Sequence, residues 1–266
     1  MDKFRALVSE ELSIIDDDLD SIIEQDDCIF SDLRSFLSGN SKRIRSVICL
    51  LYLKSQGINV TKKITDLLVA VELIHNASLL HDDFVDSSDL RRGVPTLFKK
   101  YGSKLSVLSG DYILSLAVKR LIMLENNGIL NLFSDTVKKM SEAEITQYFS
   151  RNNEISFEKY LKIISGKTSA LFSSCIKSAA VLSGIDSERA FRFGENFGIL
   201  FQINNDFDSI SAENDRFNGV KTAVNIIGIE KTLALKDNYK EELRQILAEI
   251  PNNAYKKGIE DLIELL

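Results

Sequence analysis

Residues 96 to 250 contain no proline, and the whole chain of 266 residues has only 2. Proline inside a helix removes a backbone donor and clashes with the preceding turn. A stretch so poor in breakers favours long helices and argues against a turn-rich β sandwich. Apolar residues make up 44% of the chain, too many for a disordered protein, and the length suffices for one sizeable core or at most two small ones. No alternating segment is strong enough to read as a sheet. The expectation is therefore a single all-α domain over residues 1–266, a helical bundle with its site between facing helices.

The clearest helix lies in TKKITDLLVAVELIHNASLLHDD, where Ile64, Leu67, Leu68, Val71 and Ile74 recur at helical spacing and Thr61 is placed to cap the start. The segment before it reads as a helix from about Asn40 or Ser41 to Gly57, a usual stop signal. Further helices are expected over 103–124, 129–149, 157–183, 187–210, 219–235 and 237–249, separated by short runs such as ENNG and SGID. The first twenty residues are acidic and amphipathic, unlike a secretory signal.

Charge and cysteine content exclude several classes. The net charge of −6 argues against a generic nucleic-acid binder. The longest uninterrupted apolar run, Val47 to Leu53, falls well short of the roughly 20 residues of a membrane span. Cys28, Cys49 and Cys175 are odd in number, far apart and without a CxxC pair. They make no zinc knuckle and no disulfide framework, and read as reduced core thiols of a cytoplasmic protein.

HDDFVD, residues 81–86, is the most informative hexapeptide. Asp82 and Asp86 stand four apart, so a helix puts both carboxylates on one face, with Asp83 beside them. Like charges so close need a counter-ion, and hard oxygen donors suit Mg²⁺, which completes its shell with water and substrate phosphates. A solvated helix end is the competing reading. His75 lies two turns before Asp82 and extends the same stripe, placed to donate to an anion. Arg91 and Arg92 follow, and paired guanidiniums fork onto phosphate oxygens. Their alternative use is a salt bridge to Asp86 or Asp89. In SKRIRS, Lys42 and Arg45 share one face near a helix start, where the dipole favours anions. GKTSA offers Lys167 and Thr168 beside Gly166, without the full pattern of a P-loop.

Taken together, these residues resemble the trans-polyprenyl diphosphate synthases. GNSKRIRS is similar to that family's basic motif, GGKRxRP. LIHNASLLHDDFVDSSDLRRG is similar to its first aspartate-rich motif, and GKTSALF to its G-K-T/S motif. FQINNDFD is similar to its FQxxDDxxD region, and the likeness spans about residues 36–225. The resemblance implies a terpenoid-synthase-type helical bundle with a central active-site cavity, working as a homodimer with Mg²⁺. It implies that Lys42, Arg45, His75 and Arg92 hold isopentenyl diphosphate. It implies that Arg91, Lys167, Thr168 and Gln202 serve the allylic diphosphate, and that Asp82, Asp83 and Asp86 bind metal.

The chain departs from the pattern in the second motif. With Gln202 in register, the three acidic positions fall on Asn205, Asp206 and Ser209, while Asp208 comes one residue early. Asn205 and Asp206 are the candidate ligands left on that side. Gly39-Asn40 stands for Gly-Gly, Ser46 for proline, and a later Gly-Lys segment resembles Asn218 to Lys221 with Lys221 displaced. Asn205, Ser209 and Glu213 also resemble the metal triad of class I terpene cyclases. A cyclase, however, would leave Lys42, Arg45, His75 and Arg92 unexplained.

The chemistry implied is ionisation of an allylic diphosphate, attack on the cation by the isopentenyl double bond, and proton loss to the departing diphosphate. No nucleophilic serine or cysteine is needed, and no nucleophile–base constellation stands out. The alternative is a weak or non-catalytic subunit of a heteromeric synthase. Ala77 and Ser78, five and four residues before Asp82, are small. In the family, small residues there leave a tunnel open, so the expected product is long, about six to eight isoprene units or more.

Overall fold

The structure, a computed structural model, describes residues 1–39, 41–91, 93–209 and 219–266, without the side chains of Asp208 and Ser209. The fold is all-α apart from a minimal hairpin, in which β1 (Leu90–Arg91) pairs antiparallel with β2 (Val94–Pro95). The sequence pattern gave no sign of this hairpin. It is too short to show alternation. The described residues separate into two compact units, residues 1–50 with 60–130 and residues 51–59 with 131–266.

The first unit contains α1 (Asp2–Ala6), α2 (Ser9–Ser21), α3 (Cys28–Ser38), the start of α4 (Ile44–Ser55), α5 (Lys62–Val85), the hairpin and α6 (Leu97–Met123). Thr61 precedes α5 in extended conformation, as expected of a cap, but its side chain makes no capping bond. The five apolar residues that set the period are buried, and so are Val69, Ala70, Leu73, Ala77 and Leu80. Burial all round marks a core helix rather than a surface helix with one apolar stripe. By length and hydropathy α5 resembles a membrane span, yet 78% of its apolar window is buried within the protein. It packs chiefly on α6. Small residues Ser106, Ser109 and Gly110 line the buried face of α6, and the Ser106 hydroxyl donates to the Leu80 carbonyl at 3.2 Å.

The helix expected to begin at Asn40 or Ser41 begins at Ile44 instead. Arg43 has a φ of 46°, left-handed backbone that cannot continue a helix. It is held there by its side chain, which donates to the Leu37 carbonyl at 2.6 Å and to Asp16 Oδ1 at 2.9 Å.

The second unit contains the end of α4, most of α7 (Asn127–Tyr148), α8 (Phe157–Ile164), a π-helical turn (Ser165–Ser169), α9 (Ala170–Ser183), α10 (Ser187–Ser209), α11 (Ala223–Ile227), α12 (Ile229–Ala248) and α13 (Ala254–Leu265). The helix expected over 157–183 runs without a gap, widened to a π turn at SGKTS. The break expected near residue 236 falls instead at Gly228, whose φ is 80°. α10 is the hub, packed on α9, the π turn and α12. Gly198 permits that approach: a Cβ there would lie 2.5 Å from the Ser169 Cα. Cys49 and Cys175 are core thiols as expected, but Cys28 is exposed at the start of α3.

Candidate active site

Each unit carries its own constellation of functional side chains. In the first unit it stands at the C-terminal end of α5. That end holds Asp82 and Asp83 in its last turn, with Asp86 as the cap residue and no basic residue in the turn. The negative end of a helix dipole disfavours carboxylates, so this placement calls for cations. Asp82 and Asp86 are half-buried, as is His75 on the same stripe. Two carboxylates one turn apart, half shielded from water, suit a hard divalent cation.

Asp83 is placed differently. It is buried and points at Arg91, whose Nε and Nη2 lie 2.8 and 2.7 Å from the same oxygen, Oδ1. Burial pushes the Asp83 carboxyl above the usual carboxylate range, Arg91 pulls it back, and Asp86 adds a further upward push. Arg91 is therefore tied to Asp83 rather than to Asp86 or Asp89. Arg92 lies outside the described residues.

His81 lies against α6. Its Nε2 is 3.2 Å from Asp111 Oδ1, and its ring covers Gly110, where a Cβ would sit 2.3 Å from Nε2. The residue beside Asp82 is thus seated by shape as well as by a polar contact.

Within SKRIRS, Lys42 is exposed and Arg45 buried. Arg43, which the spacing had not singled out, is the most constrained of the three. Besides Asp16 and Leu37 it approaches Glu72 of α5 at 3.6 Å, both side chains being 1% exposed. Glu72 also accepts the Ser46 hydroxyl at 2.7 Å. The serine where the family pattern has proline is thus explained by a buried acceptor on α5.

In the second unit, Lys167 and Thr168 sit within the π turn. Such turns add one residue to the helical ladder and recur at functional sites. Lys167 pairs with Glu144 of α7 and donates to Gln147 Oε1 at 2.8 Å. Thr168 donates to Gln202 Oε1 at 2.7 Å, and Gln202 Nε2 donates to Asp206 Oδ1 at 2.7 Å. Tyr160 of α8 donates its hydroxyl to Asp206 Oδ2, also at 2.7 Å. Burial, then the Asp206 charge, raises the Tyr160 phenol far above its ordinary pKa, so it stays a donor. Asn205 is exposed, and Lys221 donates to Glu154 at 2.7 Å. The Ser209 and Asp208 side chains, Glu213, Asn218 and Asn40 lie outside the described residues.

Tyr160, Glu144, Gln147 and Glu72 were not foreseen as part of either constellation. A tyrosine or glutamate on an amphipathic helix carries no local mark of its role. Among the described residues, no group of three or more His, Cys, Asp or Glu side chains is gathered to hold a metal ion. The candidate cation donors are the pair Asp82 and Asp86.

Comparison with known proteins places the chain in a family. The profile of the polyprenyl synthetase family matches residues 28–259, and the chain belongs to that family. An octaprenyl diphosphate synthase of Haemophilus influenzae is 33% identical over 217 residues, 80% of this chain and 66% of that one. A chloroplastic solanesyl diphosphate synthase of Arabidopsis thaliana is 30% identical over 257 residues, 89% of this chain and 61% of its own. The chain thus spans roughly two thirds, or slightly less, of the length of these relatives. The crystal structure of a geranyltranstransferase from Thermotoga maritima superposes with a TM-score of 0.84 at 28% identity, covering 97% of this chain and 99% of that one. A decaprenyl diphosphate synthase from Rhodobacter capsulatus shares the fold, with a TM-score of 0.87 at 22% identity over 99% and 97% of the two chains.

Proposed function

We propose that this protein is a Mg²⁺-dependent trans-prenyltransferase that joins isopentenyl diphosphate to an allylic prenyl diphosphate and makes a long all-trans product. The observation that carries the proposal is the acidic end of α5, where Asp82 and Asp86 stand half-buried against the helix dipole with Arg91 close behind. Names of relatives support the substrate class, since octaprenyl and solanesyl diphosphate synthases match most of the chain.

The barrier to ionising an allylic diphosphate is mainly charge separation. Asp82 and Asp86 would hold Mg²⁺, which when bound draws negative charge from the leaving diphosphate. Arg91, Lys167, Thr168 and Gln202 would bind the allylic diphosphate, with the cationic pair taking up charge as the C–O bond breaks. Lys42, Arg45, His75 and Arg92 would hold isopentenyl diphosphate with its double bond towards the cation. Lys221 is a further candidate for diphosphate contact. Proton loss from the resulting cation to the departed diphosphate completes the step without a protein nucleophile.

Product length follows from packing. Ala77 is buried and Ser78 half-buried on α5, both short of Asp82 by about one turn. Neither side chain would block a growing apolar tail. We further propose a homodimer in the cytoplasm. Exposed Leu108, Ile122 and Met123 on α6, and Ile145 and Tyr148 on α7, form apolar faces of the kind a second copy covers.

A second reading is favoured by Asn205. This neutral amide stands where the family pattern has an aspartate, and it suits a weak or non-catalytic subunit of a heteromeric synthase. Incubating the purified protein with farnesyl diphosphate, isopentenyl diphosphate and Mg²⁺ separates the two. Turnover by the protein alone, yielding long prenyl chains by chromatography, supports the first reading. Turnover only with a partner chain supports the second. Absence of diphosphate binding by calorimetry defeats both.

A further inference from the structure

Asp206 occupies the second acidic position of FQINNDFD, where the family resemblance puts a cation ligand. Its surroundings do not fit that role. One carboxylate oxygen accepts the Tyr160 hydroxyl and the other accepts the Gln202 side-chain amide, each at 2.7 Å. Asp206 is only 9% exposed. Its neighbour Asn205 is exposed and uncharged, and a lone amide oxygen is a poor substitute for a carboxylate at Mg²⁺.

The hydrogen bonds also have a direction. An ionised carboxylate only accepts, so the amide group turned to Asp206 must be the nitrogen. That choice turns Gln202 Oε1 to Thr168, whose hydroxyl donates to it at 2.7 Å. Tyr160 in turn is fixed by packing, clustered with Ile164, Ile199, Ile203 and Ala223. The chain of contacts runs from a rigid apolar anchor through one charge to an amide whose two ends are chemically opposite.

We propose that Asp206 and Tyr160 are positioning residues: together they fix the orientation of the Gln202 amide, and Asp206 does not serve as a cation ligand. This rests on the prenyltransferase reading for the placing of Gln202 and Thr168 beside the allylic diphosphate. Asparagine at 206 cannot accept from both Tyr160 and Gln202, because one of its ends is itself a donor. The neutral amide holds the Gln202 nitrogen less firmly than a carboxylate does, and wherever its N–H end takes the Gln202 side, Gln202 turns over and presents an N–H where positive charge develops, opposing ionisation.

The test compares wild type with Asp206→Asn and Tyr160→Phe. We expect D206N to lower kcat at least about tenfold, the scale of a lost supporting contact. The Mg²⁺ concentration for half-maximal rate should stay unchanged, as should the KM for isopentenyl diphosphate. Y160F should lower kcat in the same direction by less. A D206N enzyme that recovers wild-type kcat at high Mg²⁺ would show a cation ligand and overturn the proposal, as would full activity in Y160F. A readout independent of turnover is hydrogen exchange of the Gln202 side-chain amide, followed by ¹⁵N NMR. It should be slow in wild type, where the amide donates to a buried carboxylate, and faster in D206N. Unchanged exchange would overturn the positioning role even if the wild type proved inactive, an outcome that would separately sink the prenyltransferase reading.

Discussion

Arg91 reaches back across the hairpin to Asp83, with two of its nitrogens within 2.8 Å of a single carboxylate oxygen. The middle acid of the cluster is thereby turned into the fold, leaving Asp82 and Asp86 as the half-buried pair. A group whose folded pKa is raised stabilises most when protonated. Its contribution is fully present below the unfolded carboxylate pKa and is lost as pH rises through the folded one. Burial raises the Asp83 carboxyl. Thermal unfolding of wild type and Asp83→Asn across the acid range should therefore show the wild type's relative stability falling as pH rises. A difference that grows with pH would contradict the geometry.

Arg43→Ala should be among the most destabilising changes in the first unit. It removes the cation from buried Glu72 and from the partly exposed Asp16, and leaves the Leu37 carbonyl without that donor. Breaking a buried ion pair from one side costs about 3–5 kcal/mol. Chemical denaturation should show the loss, and Lys42→Ala, an exposed change, should cost little stability.

Gly198→Ala drives a methyl group into the backbone of Ser169, which cannot swing aside as a side chain could. Overpacking of this kind costs about 1–3 kcal/mol. Because Ser169 follows Thr168, turnover should fall together with the melting temperature.

Ala77→Phe fills space beside α5 about one turn before Asp82. If the apolar tail extends past that point, chromatography of the products should show shorter chains, while the first condensation persists. An unchanged product distribution would count against the long-chain reading.

Much of this architecture could be read from the residues themselves. Proline scarcity and the 3.6-residue period foretold α5, and Asp82 and Asp86 stay one turn apart because Asp82 is in its last turn and Asp86 caps its end. What escaped were features made by distant contacts. Arg43 delays the start of α4 through partners on α2, α5 and the end of α3. Tyr160 meets Asp206 across 46 residues of sequence. The π turn at GKTS depends on one extra residue in the helical ladder, and periodicity cannot distinguish that from a plain α-helix. Asp83 was grouped with its neighbours because adjacency in sequence hides that successive helical side chains point about 100° apart.

The π turn at Ser165–Ser169 gives the second constellation an unusual sensitivity to deletion. The surplus residue displaces everything after it by about a third of a revolution relative to a plain α-helix. Excising a single residue there would let α8 and α9 fuse into one regular rod. Lys167 and Thr168 would then rotate off their partners while the hydrophobic packing stayed largely intact, a folded protein with its chemistry turned aside.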